Sequence, residues 1–145
     1  MEIKKTHIGV YGVIIKDEKI ALIKKARGGY LGKLDLPGGG IEHEETIIEA
    51  LKREIQEETE TNVTSQQLLE VFSTNIKWEM EKDLFEDLHH IGIIYQVDID
   101  TEKLKEIPDG LDSLGANWYL IKNLGQEELT PFALYSLQKL GYKIS

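Results

Sequence analysis

Three glutamates in the middle of the chain have a spacing that suits a site for a divalent cation. On a helix with about 100° per residue, Glu57 falls at roughly −60° and Glu58 at roughly +40° from Glu54. An apolar stripe lies beside that face and consists of Ile47, Ile48, Leu51 and Ile55. We therefore expect the three carboxylates to share one face and to border the buried side of the helix.

Like charges on one helical face repel one another. A pair such as Glu54 and Glu58, four residues apart, destabilises an isolated helix by roughly 0.2–0.5 kcal/mol. Residues 50, 51 and 55, which share that face, are Ala, Leu and Ile, so no lysine relieves the repulsion there. A divalent cation would relieve it. Mg²⁺ binds through one or two carboxylates, water and phosphate oxygens, and oxygen ligands favour Mg²⁺ or Mn²⁺ over zinc.

Taken alone, acidic residues on a helix are more often an ordinary solvated face. The glycines just upstream, residues 38–40, change that balance. Glycine lets a backbone approach a ligand closely and leaves its amides and carbonyls available to phosphate or metal. A lone glycine triplet would indicate only a flexible turn, but the triplet and the acids at this spacing together predict a binding site.

The segment from Gly38 to Thr61 resembles the signature box of the Nudix hydrolases. The matching positions are Gly39, Glu45, Arg53, Glu54, Ile55, Glu57 and Glu58. Residues 37–42 resemble the usual lead-in, and the strands elsewhere follow the expected order, so the resemblance covers essentially the whole chain. The implied fold is a Nudix-like α/β/α sandwich, of the α/β (α+β) class, with a mixed β-sheet.

The chain departs from the box at its end. Glu60 and Thr61 stand where the family usually has glycine and a bulky aliphatic residue. The glycine normally ends the helix in the left-handed conformation. We expect Asn62 to take that conformation here, because asparagine tolerates it better than most residues.

The resemblance implies a role for each polar residue of the box. Glu57 and Glu58 would be metal ligands, and Glu54 would be a ligand or the group that activates water. The carbonyl of Gly39 could add another ligand to an Mg²⁺ or Mn²⁺ ion. Crowded carboxylates raise one another's pKa, which suits one of them to act as a base.

Two further predictions concern residues that support or complete this site. Arg53 stands among the catalytic residues of the box, and it is expected to pair with Glu45 and brace the loop against the helix. Many family members use an additional acid from outside the helix, and Asp112 lies where such an acid often occurs; a turn-forming role is its alternative. The rival source is an acidic segment containing Glu79, Glu81, Asp83 and Glu86.

Candidate substrate contacts lie in the glycine-rich stretch of residues 27–44. We name Arg27, Tyr30, Gly38 and Gly39 as substrate-binding residues, and Lys25 and Lys33 flank the same loop. The aromatic rings of Tyr30, Trp78 and Trp118 could stack on a base, although core packing is the more frequent role of such residues. His89 and His90 begin a strand and lack a matched third ligand, so we interpret them as structural.

Hydrophobic periodicity predicts the elements that carry these residues. Strands are expected at 7–16, 19–26, 68–78, 89–99 and 117–121, with the first two forming a hairpin. Helices are expected at 45–59 and from Thr130-Pro131 to near Gly141, whereas residues 79–87 are expected to form a loop. A mixed sheet covered by helices follows from this order.

Composition limits the other possibilities. A length of 145 residues predicts a single domain, residues 1–145, and the absence of cysteine excludes disulfides and thiolate chemistry. The net charge of −9 disfavours a nucleic-acid polymer as partner. No apolar run approaches the roughly 20 residues that cross a bilayer, and no signal peptide is visible, so we expect a cytoplasmic protein without a membrane partner.

The sequence therefore predicts an Mg²⁺-dependent hydrolase that cleaves the diphosphate linkage of a small nucleotide by attack of water at phosphorus. A nucleoside di- or triphosphate ranks first and a nucleoside diphosphate derivative second. ADP-ribose ranks lower because no proline lies between Pro37 and Pro108, downstream of the box. The alternative is a non-catalytic, nucleotide-sensing module, which usually lacks some of the acids. A prenyl diphosphate isomerase would need a cysteine, and assembly into a homodimer is left open.

Overall fold

The strands of the chain divide between two four-stranded sheets. The computed structural model describes residues 1–106 and 113–145. The first sheet contains, in spatial order, β5 (Gly38–Gly40), β1 (Glu2–Val13), β7 (Leu84–Ile99) and β6 (Val63–Glu81). The second contains β2 (Ile15–Lys16), β3 (Lys19–Lys25), β4 (Leu34–Asp35) and β8 (Ser113–Leu120).

The first sheet is mixed, as the sequence predicted. β1 pairs in parallel with β7, whereas β5 and β6 run antiparallel to their neighbours. β1 lies inside the sheet, which agrees with its apolar residues on both faces.

The helices α1 (Ile47–Thr59) and α2 (Pro131–Lys139) cover opposite faces of β1. Val10 belongs to a core with Leu51 and Ile55 of α1, whereas Tyr11 belongs to a core with Phe132 of α2. Successive side chains of a strand point to opposite faces, so these two cores sandwich the sheet. The predicted α+β class is confirmed. No helix in the described part of the chain combines the length and hydrophobicity that a membrane crossing requires.

The predicted hairpin over residues 7–26 is wrong in its first half. The chain leaves the first sheet after Val13 and enters the second sheet at Ile15, so only β2 and β3 form the hairpin. The sequence could not reveal this break, because a strand that is buried on both faces has the same continuous apolar pattern in either sheet.

The predicted acidic loop over residues 79–87 is also wrong. β6 and β7 continue almost to the turn at Lys82-Asp83, with Glu79 paired to Phe85 and Glu81 to Leu84. Asp83 has a positive φ of 61°, which closes this tight turn. Long-range pairing with β1 extends the strands beyond what the local polar sequence indicates.

Helix α1 begins two residues later than predicted, at Ile47. Thr46 is its N-cap: the Thr46 hydroxyl accepts a hydrogen bond from the Glu49 amide at 3.1 Å, and the Thr46 amide donates to the Glu49 carboxylate at 2.9 Å. This capping box fixes the start of the helix and leaves Glu45 in the preceding loop.

The expectation that Asn62 ends α1 is wrong. Glu60 takes the left-handed conformation, with φ 57° and ψ 34°, and its amide donates to the Gln56 carbonyl at 2.9 Å. Asn62 instead binds Asp100 through its amide and its side chain, each at 2.9 Å.

Glu60→Gly should therefore stabilise the protein by about 1 kcal/mol, because glycine adopts positive φ without the Cβ clash. Chemical denaturation of the variant and wild type measures this difference. Glu60→Ala is the matched control, since it removes the side chain but keeps the Cβ. Equal stability of the two variants would show that the backbone conformation is not the cause.

Candidate active site

The glycine strand β5 forms the floor of the candidate site. It pairs antiparallel with β1, so that Gly39 lies opposite Val10 and Gly38 opposite Tyr11. A Cβ built on Gly39 would lie 2.8 Å from a carboxylate oxygen of Glu54, and one on Gly38 would lie 2.7 Å from Cδ1 of Tyr11. Side chains at these positions would push away Glu54 of the helix and the ring of Tyr11. The glycines therefore allow Glu54 and Tyr11 to approach the β5 backbone.

Two of the three predicted carboxylates lie against this strand. Oε1 of Glu58 accepts a hydrogen bond from the Gly38 amide at 2.7 Å. Burial raises the pKa of Glu58 to about 8; nearby Glu54 raises it too, and the Gly38 amide and Lys25 oppose the rise. Burial also raises the pKa of Glu54, against the opposing effect of Arg53. The helix thus holds two carboxyl groups in a place that disfavours their negative charge.

Arg53 links the helix to the loop before it. Its Nε and Nη2 donate to the two oxygens of Glu45 at 2.6 and 2.9 Å, and Nη2 also donates to the Gly40 carbonyl at 2.9 Å. Nη1 donates to Glu54 at 2.8 Å. The guanidinium therefore fixes the Glu54 carboxylate relative to the glycine strand, in a bidentate arrangement with Glu45 that lysine could not reproduce.

Glu57 differs from its two neighbours. Its side chain is 58% exposed, and its nearest described cationic contact is Nη1 of Arg53 at 3.4 Å. In the described residues, 1–106 and 113–145, no three acidic or histidine side chains converge in a geometry that would hold a metal ion. Arg53 and the Gly38 amide hold Glu54 and Glu58 in the arrangement observed.

The other sequence-predicted residues are dispersed. Arg27 lies exposed on the loop after β3, and Asp112 lies outside the described residues. Tyr30 is buried and stacks on His90. His90 is also buried, whereas His89 is exposed on the opposite face of the sheet.

The remaining aromatic and acidic candidates lie in structural contacts. Trp78 donates to a carboxylate oxygen of Glu86 at 2.9 Å, so one of the rival acids is bound to one of the candidate stacking residues. Trp118 donates to the carbonyl of Glu102 at 2.7 Å.

Sequence reasoning missed a buried acid near the site. Asp35 of β4 accepts hydrogen bonds from the Leu36 amide at 2.8 Å and the Thr130 hydroxyl at 2.7 Å. Burial raises its pKa, and the charge of Lys25 opposes the rise. The available signal was an isolated acidic residue inside the apolar run of residues 34–37.

The Glu45–Arg53 pair predicts a specific dependence of stability on pH. The hydrogen bonds from Arg53 lower the pKa of Glu45 from 4.5 to about 2. Between these values the unfolded chain binds more protons, so the stabilisation is fully present above pH 4.5 and is lost as the pH falls toward 2. Glu45→Gln should therefore lower the melting temperature at pH 7, by an amount that shrinks below pH 4.5.

Melting curves over a pH series test this prediction. Glu42→Gln is the matched control, because Glu42 is 71% exposed and lies 3.9 Å from Arg53. A Glu45→Gln deficit that is the same at every pH would contradict the assignment.

Comparison with known proteins adds three findings. The sequence matches the domain model of the NUDIX family over residues 5–140. An ADP-ribose pyrophosphatase of Methanocaldococcus jannaschii is 36% identical over 117 residues, which make up 81% of this chain and 63% of that protein. This chain therefore spans somewhat less than two thirds of that relative's length.

The fold is similar to those of solved Nudix structures. A MutT NUDIX hydrolase from Burkholderia pseudomallei superposes with a TM-score of 0.76 and 23% identity, covering 94% of this chain and 98% of that one. The NUDIX domain of Shewanella oneidensis NrtR, crystallised with ADP ribose, gives a TM-score of 0.60 and 16% identity over 95% of this chain and 88% of that one. At these identities the likeness is one of fold.

Proposed function

Because this chain belongs to the NUDIX family, we propose that it hydrolyses the diphosphate linkage of a small nucleotide derivative. The observation that carries the proposal is the placement of Glu54 and Glu58 against the glycine strand, with Arg53 locking Glu54 in place. Carboxylates fixed beside an open backbone suit a reaction in which a divalent cation is held close to phosphate oxygens.

The donor set fits a divalent cation of the Mg²⁺ or Mn²⁺ type. Glu57, Glu58 and the Gly39 carbonyl would hold it, because all of them offer oxygen ligands. Burial is the main cause of the raised pKa of Glu58, and the charge of Glu54 adds to it, so a bound cation would stabilise the ionised carboxylate. The exposed Glu57 side chain has room to turn toward its neighbours. Such an ion supplies neutralisation of phosphate charge and a lower pKa for bound water.

The chain's own residues account for the remaining requirements. β5 lets the diphosphate approach the backbone, and Arg53 holds Glu54 ready to accept a proton from the attacking water. The water oxygen forms a bond to phosphorus as the bridging P–O bond breaks. The bond's electron pair leaves with the second phosphate group, and the proton passes to the carboxylate.

The substrate class that we favour is a nucleoside diphosphate derivative. The sequence ranked nucleoside di- and triphosphates first and lowered ADP-ribose because of the absence of a downstream proline. The 36% identical relative is named an ADP-ribose pyrophosphatase, which supports the second-ranked class instead. Side chains outside the box choose between these substrates, so a relative similar over most of this chain is the stronger guide.

A substrate panel with product identification tests the proposal. The panel contains ADP-ribose, nucleoside diphosphate sugars, and nucleoside di- and triphosphates, each assayed with Mg²⁺ and with Mn²⁺ in ¹⁸O-labelled water. We expect a nucleoside monophosphate and a sugar phosphate as products, with the label on one phosphate. Tight binding of a panel member without any turnover would instead identify a sensing module.

A further inference from the structure

Three buried side-chain polar atoms have no hydrogen-bond partner among the described residues: Oγ of Ser136, the hydroxyl of Tyr30 and Nδ1 of His90. The last two belong to rings that stack on each other. Tyr30 and His90 are 8% and 6% exposed, so bulk water does not reach these atoms. Buried polar groups in folded proteins are nearly always paired, and an exception calls for a specific explanation.

The surroundings of His90 fix which of its nitrogens is available. Its Nε2 is hydrogen-bonded to the hydroxyl of Tyr11 at 2.7 Å. The ring of Tyr30 stacks on the His90 imidazole, with centroids 5.9 Å apart and an interplanar angle of 28°. The centroid of the Phe132 ring lies 4.5 Å from that of the imidazole. Burial lowers the pKa of His90 to about 4, so the ring is neutral near pH 7. A neutral imidazole offers either a donor or an acceptor at Nδ1, according to its tautomer.

This aromatic cluster lies directly behind the candidate active site. Tyr11 packs against Gly38, whereas Glu54 packs against Gly39. Adjacent residues of a strand face opposite sides, so the cluster and the carboxylates occupy the two faces of β5. β5 consists of three glycines and has no side chains. A ligand whose phosphates lie at the glutamates could therefore reach past β5 to the aromatic cluster.

Tyr30 lies on a segment that could admit such a ligand. Residues 26–33 leave the second sheet and return to it, and hydrogen bonds between Lys25 and both Gly32 and Lys33 close the base of this loop. Gly28 and Gly32 have φ of 87° and 81°, and a Cβ at either would meet nothing within 4 Å. The loop tip is therefore open to solvent, while its one buried side chain, among residues 27–33, rests on His90.

We propose that His90 and Tyr30 form the subsite that recognises the aromatic base of the substrate, with a polar edge atom of the base bonded to Nδ1 of His90 and to the Tyr30 hydroxyl. The loop of residues 26–33 opens to admit the base. The chemical class is a planar heteroaromatic ring that carries a hydrogen-bonding edge. This inference rests on the proposed function, because it assigns one part of the same nucleotide.

Equilibrium binding of products tests the subsite without any need for turnover. Calorimetry compares the four common nucleoside 5′-monophosphates with ribose 5-phosphate, which lacks the base. We expect at least one monophosphate to bind the wild-type protein at least about tenfold more tightly than ribose 5-phosphate. Tyr30→Phe and His90→Gln should each weaken that binding by about tenfold and leave ribose 5-phosphate unaffected.

Matched controls separate recognition from damage to the fold. His89→Gln changes the neighbouring histidine on the opposite face, and Tyr95→Phe removes a hydroxyl from the other core. Both should bind like wild type. Tyr30→Phe removes a single oxygen that makes no hydrogen bond within the described residues, so its melting temperature should not fall, and this variant remains informative if His90→Gln misfolds.

A spectroscopic measurement distinguishes the base from an internal water molecule as the partner. The ¹⁵N resonance of His90 Nδ1 should shift when the nucleoside monophosphate binds, and that of His89 should not. An unshifted His90 signal, or equal weakening of monophosphate and ribose 5-phosphate binding, would overturn the proposal. Hydrolysis that continues without any preference for the base would do so as well, while leaving the proposed function standing.

Discussion

Glu57→Gln is expected to reduce kcat by roughly a thousandfold or more while the fold remains intact. Glutamine keeps the size of the side chain but removes the charge proposed to bind the cation. Glu57 is 58% exposed and is 3.4 Å from its partner Arg53, so the loss of this contact should change stability little. Steady-state kinetics with the best substrate of the panel, together with thermal melting, separates the two effects.

The control for this variant is Glu18→Gln, which makes the same charge change at an exposed position in the turn between β2 and β3. It should retain wild-type kinetics. Wild-type rates in Glu57→Gln would reject the proposed role of Glu57 as a ligand. A large fall in melting temperature would show instead that the residue is structural.

Removal of divalent cations should have an effect of similar size. The proposed site contains buried carboxylates that would repel a phosphate in the absence of a cation, and the charge of Glu54 already raises the pKa of Glu58. We expect EDTA to lower activity by at least about a hundredfold, and Mg²⁺ or Mn²⁺ to restore it.

A zinc-selective chelator is the control for metal type and should leave activity unchanged, because the oxygen donors favour Mg²⁺ or Mn²⁺. Melting curves in EDTA establish that the folded state persists. Full activity in EDTA would contradict the proposed mechanism.

The sequence by itself determined the features that depend on local spacing. Glu54, Glu57 and Glu58 share a helix, and Arg53 precedes them, because about 3.6 residues per turn fixes such neighbours wherever a helix forms. The family followed from the same box, and the α+β class from the order of periodic segments. The sequence-based prediction of a loop was wrong for residues 79–87, because pairing between β6 and β7 outweighed the locally polar sequence.

Tertiary structure decided how the residues of the box differ from one another. Glu58 reaches Gly38 and Glu54 reaches Gly39 because β5 pairs with β1, whereas Glu57 on the same helix stays in solvent. Helical spacing places Glu58 nearer than Glu57 to the apolar stripe, but only the pairing of β5 with β1 decides which backbone groups Glu54 and Glu58 contact.

The contact between Tyr11 and His90 spans 79 positions of the sequence and arises only from the parallel pairing of β1 with β7. Burial then changes the chemistry of such residues, since the pKa of His90 or Asp35 depends on which distant elements exclude water from it. Spacing along the chain thus selected the reacting groups, and packing between distant segments set their protonation, their partners and their access to a substrate.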